Sequence, residues 1–124
     1  MYILAAKLGQ FEVFKYLIEK KNMDPGMLSG IAFRYACMHN YKHLFNYLIN
    51  NSRAKITGYH NQALHVACKR NNYLFIKEIL KKIDKIPYSC FYYSNEKISL
   101  FLIQSNKILL TDIIHILNFK IKEF

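Results

Sequence analysis

The stretch Leu4-Ala5-Ala6-Lys7-Leu8-Gly9-Gln10-Phe11-Glu12-Val13-Phe14-Lys15-Tyr16-Leu17-Ile18 decides how this chain is read, because its character returns 31 residues on and again 31 after that. Ala5 recurs as Ala36 and Ala67, Ala6 as Cys37 and Cys68, and Gly9 as Asn40 and Asn71. Four apolar columns keep the same step: Val13, Leu44 and Phe75; Phe14, Phe45 and Ile76; Leu17, Leu48 and Ile79; Ile18, Ile49 and Leu80. Columns that hold their chemistry through three units without an insertion define an internal repeat.

Each unit predicts two short helices. Phe33, Ala36 and Cys37, like Leu64, Ala67 and Cys68, stand at i, i+3 and i+4 and so share one helical face. Leu44, Phe45, Leu48 and Ile49 form an equivalent stripe on the second helix, repeated by Phe75, Ile76, Ile79 and Leu80. Between the stripes stand Gly9, Asn40 and Asn71, residue types that tolerate the left-handed conformation in which helices end. The small pairs Ala5-Ala6, Ala36-Cys37 and Ala67-Cys68 let neighbouring helices approach closely. Helices of this length are marginal alone in water, so each stripe must be buried against its neighbours.

Residues 4–18 and Ala63-Leu64-His65-Val66-Ala67-Cys68 resemble ankyrin repeats, whose pattern runs Thr-Pro-Leu-His-x-Ala-Ala, a Gly, then Val-Val-x-x-Leu-Leu. The resemblance implies an all-α fold, a short ankyrin-like helical solenoid of two and a half to three repeats. The units are expected over about 1–26, 27–57 and 58–85, with residues 86–124 as a degenerate helical repeat or cap. The chain departs from the family in three respects. Its period is 31 instead of about 33. Ile31-Ala32 and Gln62-Ala63 replace the Thr-Pro pair, and the motif His survives only as His65, with Ile3 and Arg34 in the other units. In the family that His is structural, tying the turn between units. Beyond Lys85 the register fails: a connector over 84–96 containing Pro87 precedes Phe101-Leu102-Ile103, Leu109-Leu110, Ile113-Ile114 and Leu117, which predict a fourth helix pair.

Lys and Arg number 18 against 8 Asp and Glu, a net charge of +10 shared evenly between the two halves. This favours acidic partners without bearing on fold. No run is long and apolar enough to span a bilayer, and the first residues lack the build of a signal peptide. Three cysteines without metal spacing argue against a disulfide framework and for a reducing compartment, the cytoplasm or else the nucleus. Ile, Lys, Asn, Tyr and Phe make up about half the chain. With the degenerate repeats, that bias resembles the multigene-family proteins of large DNA viruses of the asfarvirus type. The resemblance implies a non-enzymatic protein acting on host factors in the host cytoplasm, with effects on cell tropism, replication in macrophages or innate signalling.

No Gly-rich phosphate loop, nucleophile elbow or zinc-spaced cysteine set occurs, so neither catalysis, cofactor nor metal is expected. His39 and His43 have metal-ligand spacing, but Asn40 lies between them and is expected to place them on different helices. Cys37 and Cys68 occupy a small-residue slot suited to buried, inert sulfur. Contact positions follow from the ankyrin resemblance: the pairs after the small residues, Lys7 and Leu8, Met38 and His39, Lys69 and Arg70, and in the turns Met27, Leu28 and Gly30, then Gly58, Tyr59 and Asn61. They line the concave surface on which the family holds protein partners. The third pair is cationic, which implies a partner with an acidic patch. Lys69, Arg70, Lys77, Lys81, Lys82 and Lys85 offer a second reading, a nucleic-acid or acidic-ligand binder. A third is a fragment of a longer array without activity of its own.

Overall fold

The computed structural model describes residues 1–87 and 89–105 together with Ile114 and Asn118, apart from the side chains of Tyr59, His60 and Tyr93. These residues are helical, with no strand among them. Three hairpins come in order: α1 (Tyr2–Lys7) with α2 (Phe11–Glu19), α3 (Met27–His39) with α4 (Lys42–Ile49), and α5 (Gly58–Lys69) with α6 (Tyr73–Leu80). A short α7 (Cys90–Tyr93) and α8 (Glu96–Gln104) follow. The chain forms two compact units, Met1–Val66 and Ala67–Phe124.

The hairpins repeat at the level of single hydrogen bonds. Gly9, Asn40 and Asn71 all take positive φ, at 69°, 57° and 55°. The next amide then turns back on the helix just ended: Gln10 donates to Ala5 carbonyl at 2.8 Å, Tyr41 to Ala36 at 3.0 Å and Asn72 to Ala67 at 3.0 Å. This is the six-to-one closure of a left-handed helix stop, which satisfies carbonyls that the helix end would otherwise orphan. Four residues further on, Phe14, Phe45 and Ile76 donate to the carbonyls of Gln10, Tyr41 and Asn72 and open the second helices. In the third hairpin Asn72 also caps α6, its Oδ1 accepting from Phe75 N–H at 3.2 Å.

The columns pack as their spacing requires. Ala36, Cys37, Ala67 and Cys68 are wholly buried, as are Ala6 and Phe14, and Phe45 and Ile76 are buried beside their own helices. Within the first unit α1 packs on α2 and α3, and α3 packs on α4. The Phe33 and Phe45 rings stack there at 5.2 Å. Two columns differ in the first repeat: Val13 is 38% exposed and Leu17 half-buried, whereas Leu44 and Leu48 are buried. That side of α2 is thus less well covered than its equivalents.

The loops repeat too. Met27 N–H donates to Asp24 carbonyl and Gly58 N–H to Lys55 carbonyl; Gly30 donates to Gly26 and Asn61 to Thr57. The first of these turns runs left-handed through Leu28, Ser29 and Gly30, so right-handed helix begins only at Ile31. Gly30, at φ 82°, has no room for a Cβ because the Lys55 carbonyl oxygen of the next turn lies where it would project. Gly30 and Asn61 thus do the same work in successive turns.

After α6 the expected plain connector is not plain. Cys90 N–H donates to Pro87 carbonyl at 3.1 Å and starts α7, which buries Cys90 and Phe91. A buried pair of hydroxyls, Ser94 and Ser99, 2.8 Å apart, together with Asn95 capping Ile98 N–H at 2.8 Å, opens α8. Ile98 and Leu102 face its interior side. Of the predicted fourth pair, α8 supplies the first helix, and Leu109, Leu110, Ile113 and Leu117 lie outside the described residues. The left-handed stops generate a testable asymmetry. Asn40→Val should destabilise the protein by about 1–2 kcal/mol, since a β-branched residue is strained at φ 57°, whereas Asn40→Gly should be near neutral. Urea unfolding followed by circular dichroism measures both.

Candidate partner-binding surface

The small pairs of the first helices point into the core, which leaves the residues around them on the outer side. On α1, Leu4 and Leu8 are one turn apart and 54% and 56% exposed, with exposed Lys7 between them. The equivalent positions near the end of α3 are half-buried Tyr35 and Met38 and exposed His39. Tyr35 and His39 stack, their ring centroids 6.1 Å apart and their planes 15° apart, and His39 continues to Tyr41 at 5.3 Å. Tyr41 is fixed in turn: its hydroxyl donates to the Lys7 carbonyl at 2.8 Å, and its ring lies against Gly9, where a Cβ would stand only 2.7 Å from it. Lys7, Tyr41 and His39 are thereby drawn together across α1 and α3. His43, in contrast, lies on α4 against Phe11, with centroids 6.0 Å apart. The left-handed Asn40 separates the two histidines in conformation as well as sequence.

The turn residues divide differently. Leu28 is 56% exposed at its tip, Met27 and Asn61 are half-buried, and Gly58 packs its backbone against that of Ser29. The side chain of Tyr59 lies outside the described residues. Lys69 and Arg70 are exposed at the close of α5, in the second unit. Arg34 stands where the repeat pattern places a His, and it ties the turn just before it: Nη1 donates to Ser29 carbonyl at 2.7 Å and Nη2 to Leu28 carbonyl at 3.3 Å. A forked guanidinium can hold two carbonyls where an imidazole would hold one. His65 fills the same place in the third repeat, and burial pulls its imidazole below the ordinary value.

Two residues of this row escaped the sequence reading. Leu4 and Tyr35 precede the small pairs and belong to the same outer row as Leu8 and His39. The i, i+4 spacing that joins them was available as a signal. Tyr41 was a third omission, and only its position directly after a left-handed stop could have hinted at it.

All three cysteines are buried. Burial pushes the Cys37 thiol far up, and a hydrogen bond with Cys68, followed by burial, does the same for Cys90, so thiolate is suppressed at both. The buried Tyr2 hydroxyl, donating to Pro25 carbonyl at 2.9 Å, is pushed up to about 12 by burial and then by Asp24. Among the described residues no three His, Cys, Asp or Glu side chains come together as a metal site, and no helix is long and apolar enough to cross a membrane.

A family model described as ankyrin repeats (3 copies) matches residues 2–89. No curated protein and no solved structure matches the chain, so no homologue stands behind the resemblance to viral multigene families.

The depressed imidazole has a measurable consequence. A histidine whose folded value lies below its unfolded one binds its proton more weakly when folded, so stability should fall as pH drops below about 6.5. Thermal melts between about pH 7.5 and 5 should show that slope, and His65→Gln should flatten it.

Proposed function

The chain belongs to the ankyrin-repeat family, and from that premise we propose that it is a protein-binding module whose contact surface in the first unit is the outer row of α1 and α3. Ankyrin repeats are generally protein–protein interaction modules, and a non-enzymatic binding role fits the suppressed thiols. The observation that carries the proposal is the row itself: Leu4 and Leu8 more than half exposed, beside a Tyr35–His39–Tyr41 stack braced by a hydrogen bond to Lys7. Rings held in place before binding lose little freedom on contact, and aromatic groups anchor interfaces well. Met38 adds an adaptable apolar neighbour.

The third repeat presents Lys69 and Arg70 at the matching sequence positions, both exposed, which favours acidic groups on whatever engages that repeat. The compositional bias and degenerate repeats, through their resemblance to multigene-family proteins of large DNA viruses, support a virus-encoded protein acting on host factors.

Affinity capture from cell lysate, followed by titration of the captured protein against variants, tests the reading. Leu8→Asp combined with His39→Asp should lower affinity by about tenfold or more with helicity unchanged. Lys69→Glu with Arg70→Glu should weaken binding and reduce its salt dependence. A partner bound equally by all variants would place the contact elsewhere.

A further inference from the structure

Within the second unit, α6 and α8 enclose an open cleft of about 310 Å³, lined among the described residues by Lys77, Leu80, Lys81, Phe101, Gln104 and Ser105. Leu80 is 4% exposed and Phe101 half-buried, so the cleft has an apolar floor. Lys77 on α6 and Lys81, the residue that closes that helix, stand four residues apart and give the cleft a cationic rim. Lys77 makes no ion pair among the described residues. Lys81 pairs with Glu78 at 3.1 Å, with side chains 59% and 45% exposed. An ion pair so open to water contributes little and exchanges readily for a better carboxylate. Gln104 and Ser105 supply polar groups at the α8 side of the cleft.

The cleft takes its charge from a wider surface. Among the described residues of this unit, Lys69, Arg70, Lys77, Lys81, Lys82, Lys85 and Lys97 are exposed, against Glu78, Asp84 and Glu96. A basic surface with aromatics also suits single-stranded nucleic acid, which binds by laying successive bases on free ring faces. The rings here are already engaged. Tyr73 and Phe101 lie against one another at 4.7 Å, tilted by 48°, and the Lys97 ammonium sits 5.7 Å over the Tyr73 ring. Among the described residues that line the cleft, Phe101 is the one aromatic and it already lies against Tyr73, which favours a single apolar group over a run of stacked bases.

We propose that this cleft is a second docking site, separate from the outer row of the first unit, and that it takes an acidic peptide segment bearing one apolar anchor. The anchor sits between Leu80 and Phe101, and flanking carboxylates meet Lys77 and Lys81.

The full chain is titrated, by fluorescence anisotropy, against dye-labelled peptides in which one Leu, Phe or Trp is flanked on both sides by Glu pairs. Controls are the same peptide with Gly at the centre and an oligothymidylate of equal charge. At least one anchored peptide should bind, with the Gly control weaker by about fivefold or more. Lys77→Glu with Lys81→Glu should lower affinity by about tenfold or more, and Phe101→Ala should lower it as well. The two lysines are exposed, so their reversal remains decisive should Phe101→Ala disturb folding. Leu8→Asp, in the other unit, should leave this binding unchanged. The proposal is overturned if no anchored peptide binds, if the Gly control binds equally, if the oligonucleotide binds more tightly, or if the lysine reversal changes nothing.

Discussion

A helix that ends in a left-handed residue hands its last carbonyls to the amides just beyond it, and in this chain that exchange recurs at one place in each repeat. The amides of Gln10, Tyr41 and Asn72 return to Ala5, Ala36 and Ala67. The same residues then supply the first carbonyls of the second helices. Stop and start therefore share a hinge of two residues, and the angle between the helices of a hairpin is set by backbone geometry before any side chain packs. Gly9, Asn40 and Asn71 are the residue types that take this conformation at little cost. The burial of the Ala and Cys columns follows from it, because only a hairpin closed this tightly brings the small pair of the first helix and the stripe of the second into one layer.

The same closure decides which residues are left for function. Once the small pair is turned inward, the residues directly before and after it lie towards the outer side of the helix, away from the core. Leu4, Lys7 and Leu8, and Tyr35 and His39, occupy those places. In the proposed mode of binding, repeat packing and partner contact draw on different columns, so the outward columns can change character from repeat to repeat while the core columns do not. The turns obey the same division: backbone meets backbone at Gly30 and Lys55, Arg34 braces the tip from within, and Leu28 stays outside.

What the sequence made legible was whatever the period of 31 enforces. The helix stops, the buried columns and the separation of His39 from His43 all follow from residue type at a repeated position. Features arising from a single occurrence were not legible. Arg34 reads as a lost motif residue until its guanidinium is found on two turn carbonyls. The helix over Cys90–Tyr93 depends on a turn after Pro87 and on burial of Cys90 and Phe91, neither of which a local pattern signals. Val13 and Leu17 show the opposite case, for their columns predict burial and the structure leaves both partly exposed. Leu4 and Tyr35 were hidden by their place inside the motif, where apolar character reads as core.

A repeat has two outward sides, and charge distinguishes them here. In the first unit the outer row of α1 and α3 is apolar and aromatic with a few cations, a surface that holds by contact area. In the second unit Lys77 on α6 and Lys81 just past its end form the rim of a cleft, and its apolar floor lies where Phe101 of α8 meets Tyr73 and Leu80. Lysines alone would attract any anion weakly and lose it to salt. A cationic rim around an apolar floor discriminates, because an anion without an anchor gains only the screened Coulomb term and an apolar group without flanking charge leaves the rim unpartnered. The selectivity of that site thus depends on α8, an element outside the regular repeat. The departure from the pattern, more than the pattern, gives the second unit a surface of its own.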